Sequence, residues 1–160
     1  MQRHWIVTGI IAATTFAASS NAQSCKTADA DKIAVADTLR TLYAAATVDD
    51  FTKLHTVVAP TFYAFDGGAQ YSSIDALMKV VKAMQDRGVK FVWNVTEPEV
   101  TVHCNEAWIT YVNDGSIQTP DNAMPVPTKW LESAVLEKQN GSWKLVFFHS
   151  TRVPAAPVSH

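Results

Sequence analysis

A glutamate and a histidine come face to face if the chain turns where its residues favour a turn. Gln139-Asn140-Gly141-Ser142 lies between two alternating stretches. Asn-Gly suits a two-residue type I′ turn because both residues tolerate positive φ. With Gln139 opposite Ser142, Leu136 meets Leu145, Ala134 meets Phe147, Glu132 meets His149 and Trp130 meets Thr151, all on one face. A carboxylate opposite an imidazole can hold the ring in one orientation, the arrangement that general acid–base catalysis requires. The expected roles are His149 as acid/base and Glu132 as its orienting partner, acting in isomerisation, dehydration or cyclisation. Two plainer readings stand beside it. The pair can be two half-buried polar groups that satisfy each other, or the polar corner of a ligand cavity with Trp130 as a flat wall.

The same register sets Lys129 opposite Arg152 on the other face. That like-charge pair is unfavourable unless an anion sits between the two or both side chains splay into water. Arg152 is therefore a candidate ligand contact. His55, His103 and His149 share no metal-ligand spacing, and no G-x-S-x-G, phosphate loop or dinucleotide fingerprint occurs. No metal and no cofactor are expected. The chain has 160 residues, 48% of them hydrophobic, and 13 basic against 15 acidic side chains give a net charge of −2. That size suits one domain, and the balance argues against disorder and against a charge-driven nucleic-acid binder.

The elements that must position these residues fall into two blocks. Asp29 or Asp31 can cap a helix running to about Ala46, with Ile33, Ala36, Leu39, Tyr43 and Ala46 as its apolar stripe. Asp49 or Asp50 can cap a short helix that carries Phe51, Leu54 and Val58 and that Pro60 stops. Thr61–Asp66 is aromatic and extended, and Asp66-Gly67-Gly68 marks a turn. Ser72 with Asp75 has capping-box spacing and opens a third helix with Leu77, Val80, Val81 and Met84 on one face. Gly88 suits its C-terminal turn. Beyond it the period changes to two, predicting strands at 89–97, 99–104, 107–117, 129–138 and 143–152, with a bend or bulge at Pro98. Helices followed by strands predict an α+β domain with one antiparallel sheet curved around the long first helix.

Residues 1–22 read as a secretory leader: Arg3 and His4 first, an uncharged apolar run from Trp5 to Ala18, then small residues before a cleavage point after Ala22. The alternative is a membrane anchor, but the run is shorter than the roughly 18–20 residues a span needs. A periplasmic or secreted protein follows, with no membrane attachment once the leader is removed. Residues 23–27 would be an N-terminal tail and 154–160 a loose C-terminal one. In an oxidising compartment Cys25 and Cys104 either form a disulfide or remain free thiols. The bond would close a loop of about 80 residues, worth on the order of 4–5 kcal/mol.

Trp130-Leu131-Glu132-Ser133, followed by Asn140-Gly141-Ser142-Trp143-Lys144-Leu145-Val146-Phe147-Phe148-His149-Ser150-Thr151-Arg152, resembles the C-terminal hairpin of the nuclear transport factor 2-like superfamily. Its SnoaL-like and calcium/calmodulin-dependent kinase association-domain-like branches are nearest. The 44–51 helix-turn-helix, the 62–68 aromatic segment and the Asn105-Glu106-Ala107 turn are similar too, so the resemblance spans residues 28–153. It implies a cone-shaped α+β fold, a strongly bent antiparallel sheet wrapped around a long N-terminal helix with two further helices and a pocket at the open end. It also implies a homodimer formed through the outer face of the sheet. Tyr63, Asp66, Trp93 and Tyr111 join Trp130 as expected pocket residues. Ketosteroid isomerase, scytalone dehydratase and polyketide cyclases belong to the superfamily, and other members only bind. Two expectations follow. One is an exported domain that binds a small apolar carbonyl or hydroxyl compound, with a cofactor-independent isomerase or lyase activity. The other is a non-catalytic homo-oligomeric association module with a vestigial pocket.

Overall fold

The computed structural model describes residues 29–154. The expected leader, the N-terminal tail, Cys25 and nearly all of the C-terminal tail lie outside the described residues.

Helix α1 (Asp29–Thr47) buries Val35, Leu39, Leu42, Tyr43 and Ala46. Ile33, assigned to the same stripe, is 62% exposed, because the buried face is centred on Leu39 and turns away from it. Asp31 fastens the first turn, accepting from Lys138 Nζ at 2.6 Å and from the Trp143 indole at 3.1 Å. Helix α2 (Phe51–Val57) is capped by Asp50, whose carboxylate accepts the Lys53 N–H at 2.9 Å. Val58, expected on this helix, is instead extended and opens strand β1 (Val58–Asp66), which also runs through Pro60. Gly67 and Gly68, both at positive φ, turn the chain into β2 (Ala69–Tyr71). Helix α3 (Ile74–Gln85) starts one residue later than the spacing predicts: Ser73, not Ser72, accepts the Ala76 N–H, at 3.1 Å. Leu77 is buried as expected, but Val80, placed on the same face, is 44% exposed, and Ile74 and Met78 are buried beside Leu77.

The strands are β3 (Lys90–Val92), β4 (Val95–His103), β5 (Glu106–Gln118), β6 (Val126–Gln139) and β7 (Ser142–Arg152). The single strand expected over 89–97 breaks at Trp93-Asn94, so β3 and β4 pair with successive parts of the same β5 edge. The Pro98 bulge is present: pairing with β5 shifts between Thr96 and Glu99, and Glu97 takes φ 51. Gly115 lies where β5 passes the β3 end, and a Cβ there would collide with the Val92 carbonyl oxygen. The sheet order is β2-β1-β7-β6-β5-β3, with β4 also on β5. The expectation of a purely antiparallel sheet is corrected at one place, since β1 and β7 run parallel. The rest of the chain forms the connection between them, so no hairpin dictates their direction. With three helices on a curled sheet, the architecture is the expected α+β cone.

The expected hairpin register holds only near its turn. Asn140 (φ 52) and Gly141 (φ 81) form the bend, Gln139 pairs with Ser142, and Leu136 pairs with Leu145. Val146 is then an extra residue, because Val135 pairs with Phe147. A one-residue bulge reverses every later side chain. Glu132 consequently pairs with Ser150, Ala134 with Phe148 and Trp130 with Arg152. The expected Glu132–His149 pair does not form, and His149 is exposed on the opposite face. The expected Lys129–Arg152 conflict disappears as well: Lys129 lies opposite Asp114 and bonds it at 3.0 Å.

Gly115→Ala should lower the urea midpoint by an amount equivalent to about 1–3 kcal/mol through this backbone clash. A midpoint equal to wild type, followed by tryptophan fluorescence, would contradict the tight β3–β5 approach.

Candidate functional site

The inner faces of β6 and β7, helices α1 and α3, and β3 with the residue after it enclose a cavity of about 260 Å³. Its walls are apolar, among them Leu42, Met78, Phe91, Trp93, Trp130 and Phe148. Trp93 stacks on Phe91 with ring centres 5.0 Å apart and planes 5° apart, and lies 5.6 Å from Tyr43. The break between β3 and β4 turns this aromatic pair towards the helices.

Glu132 forms the polar base and is only 6% exposed. Donors reach it from three elements. Ser150 Oγ donates to Oε1 at 2.9 Å, Asn113 Nδ2 to Oε2 at 3.1 Å, and the Tyr43 hydroxyl makes a very short bond to Oε2. The Asn94 backbone N–H donates to Asn113 Oδ1 at 2.8 Å, which turns the Asn113 amide nitrogen towards the carboxyl. Tyr43 has a single proton and gives it to Glu132, so Tyr111, 3.0 Å from the Tyr43 oxygen, must donate to Tyr43. A relay from Tyr111 through Tyr43 therefore ends on Glu132.

Burial pushes the Glu132 carboxyl above its ordinary range, although all the donors pull the other way. Burial also raises Tyr43 and Tyr111 well above a normal phenol, and the charge of Glu132 adds to that. Both phenols thus stay protonated and act as donors. Asp66, at the end of β1 beside Ser150, is raised by burial too, against the opposing pull of the Ser150 hydroxyl and the Gly67 N–H. Ser150 has one proton and two carboxyl neighbours, so it can donate to only one of them at a time.

Of the residues singled out from sequence, Glu132, Trp130, Asp66, Trp93 and Arg152 line this cavity together. Tyr111 lies behind it, reaching Glu132 through Tyr43. Tyr63 and His149 do not take part. Tyr63 is 43% exposed on the outer face, packed on Phe147 at 4.9 Å. His149 sits near it, edge-on to Phe65, with Nε2 3.3 Å from the Thr151 hydroxyl. Cys104 is disulfide-bonded, and Cys25 lies outside the described residues. Sequence reasoning missed Tyr43, Asn113 and Ser150. Asn113 left a signal, a polar residue in phase with Ala107, Ile109 and Tyr111; Tyr43 looked like core, and Ser150 was hidden by the bulge. Among the described residues, no three His, Cys, Asp or Glu side chains gather in a way that could hold a metal. No helix of the described residues is long and apolar enough to cross a membrane.

None of the curated proteins matches the chain by sequence. Solved structures do match its fold. A proposed dehydratase of the NTF2-like family from Streptomyces avermitilis aligns at TM-score 0.67 and 18% identity, over 81% of this chain and 100% of that one. A proposed ketosteroid isomerase from Shewanella frigidimarina aligns at 0.61 and 18% identity, over 74% and 94%. The association domain of C. elegans CaMKII aligns at 0.64 and 18% identity, over 77% and 96%. At these identities the likeness is one of fold. The fold is thus one that an NTF2-like protein also has, and a family model of the SnoaL-like domain matches residues 35–156, so the chain belongs to the SnoaL-like domain family.

Proposed function

We propose that this domain binds a small, mostly apolar carbonyl or hydroxyl compound and moves a proton on it, as an isomerase, dehydratase or cyclase that needs no cofactor. The observation that carries the reading is a buried carboxyl, Glu132, at the base of an apolar cavity, with its pKa raised by burial and its position fixed by Tyr43, Asn113 and Ser150. A carboxyl shifted towards neutrality can both accept and return a proton at working pH. Ionised Glu132 takes a proton from the carbon beside a carbonyl, the electron pair moves onto the carbonyl oxygen as an enolate, and the protonated acid returns the proton to another carbon. Asp66 is the second acid within the same cavity. The role first assigned to His149 passes to Glu132, because the imidazole lies across the sheet.

A second reading has its own support. Trp108 is 51% and Leu131 57% exposed on the outer face, beside the Tyr63, Phe65 and Phe147 cluster, and the fold is shared with association domains. We propose that a second copy covers this face. Dimerisation there leaves the cavity free, so the two readings are compatible. Export to the periplasm or the medium is also proposed, supported by the leader pattern of residues 1–22 and the disulfide at Cys104.

Small cyclic ketones and enones incubated with the protein in deuterated water should exchange hydrogens beside the carbonyl, as read by NMR. Glu132→Gln should slow that exchange at least ~100-fold; an unchanged rate would remove Glu132 from the chemistry. Stability supplies a second check. A carboxyl with a raised folded-state pKa binds more protons folded than unfolded, so its contribution is full below about pH 4.5, the ordinary value, and is lost as pH rises through the folded value. The stability of wild type minus that of Glu132→Gln should therefore fall from pH 4 to pH 8, measured by denaturant titration; a flat or rising difference would contradict the raised pKa. Leu131→Glu should convert a dimer to a monomer in light scattering after size exclusion, and a dimer that persists would move the interface elsewhere.

A further inference from the structure

We infer that the preferred ligand of this cavity is a flat aromatic or conjugated carboxylate whose far end carries a keto or hydroxyl oxygen. The inference rests on the reading of Glu132 given above and names the substrate class for that cavity. It starts from the spacing of one ladder. Glu132 pairs with Ser150 and Trp130 pairs with Arg152, and all four residues line the cavity. Two residues along a strand span about 7 Å. An oxygen-binding site at Glu132 and Ser150 is therefore one same-face step from a guanidinium, with the Trp130 indole on that step.

Arg152 is the one cation among the described lining residues. Among the described residues it makes no ion pair, whereas Arg40, Lys82, Lys129 and Lys138 each hold a carboxylate. Asp66, the other acid lining this cavity, forms no ion pair with Arg152. The guanidinium is thus free to offer its planar fork to an incoming carboxylate. A volume of about 260 Å³ equals roughly nine waters at ~30 Å³ each, which suits one or two rings. The stacked Phe91 and Trp93 rings supply a flat wall for them.

The test is titration of the protein with para-hydroxybenzoate, para-hydroxycinnamate and a hydroxynaphthoate, each beside its methyl ester, by calorimetry near neutral pH. The acids should bind about tenfold or more tighter than the esters. Arg152→Gln should abolish that preference while leaving ester affinity within about twofold, and Asp66→Asn should tighten the acids by relieving like-charge repulsion. Equal affinity of acids and esters, or equal weakening of both by Arg152→Gln, would overturn the carboxylate assignment. In that case ester binding that is lost in Glu132→Leu would still leave the Glu132 reading standing. Failure of every acid and every ester to bind would overturn both.

Discussion

Everything in this molecule is arranged around the burial of one carboxyl group. Taking an ionisable side chain out of water costs several kcal/mol unless it is hydrogen-bonded or neutralised. Glu132 meets that cost with donors from the long helix, the central strand and the last strand. Those three elements also form the two layers of the fold, so the polar cluster and the apolar core position one another. The long helix must present Tyr43 on the sheet side, and the central strand must present Asn113. Each puts a polar group in the interior where an apolar side chain would carry no such desolvation cost. Their presence marks a site where stability is given up for a prepared polar group, a usual feature of functional cavities.

The curled sheet keeps two surfaces apart. Its concave side carries the cavity, whose polar side chains include Glu132, Ser150, Asp66 and Arg152, with Tyr43 facing them from the helix. Its convex side carries the exposed aromatic cluster and the Trp108–Leu131 region. Strand alternation alone produces this division, since adjacent residues point to opposite faces. Ser150 and His149 are neighbours in sequence, yet one belongs to the buried carboxyl and the other to the outer surface.

Most of the fold was legible because its signals were local. The caps at Asp50 and Gly88, the Asn140-Gly141 bend and the interruption at Pro98 depend on a few adjacent residues each. The site was less legible because it depends on phase. Leu145, Val146, Phe147 and Phe148 are all apolar, so no alternation marks where the strand skips a residue, and the inserted Val146 leaves no trace in the pattern. Glu132 and Trp130 lie on the regular strand of the pair and both line the cavity, while the residue across from Glu132 is Ser150 and not His149. Tyr43 has the helical spacing of a core residue, and only the buried acid opposite it reveals the use of its hydroxyl. The parallel direction of the first strand was equally hidden, because no turn links it to the last.

That parallel pairing has a consequence for how the polypeptide matures. Strand β1 is joined on one side to the three-residue β2 and on the other to β7, with Tyr63 beside Phe147. Contacts between such distant positions close a long loop and form slowly. In a growing chain the first helix can pack on β4 and β5 as they emerge, but β1 has no long partner strand until β7 appears. The sheet is therefore closed only once β7 has been made, and any truncation that removes β7 leaves the first strand without its main seam.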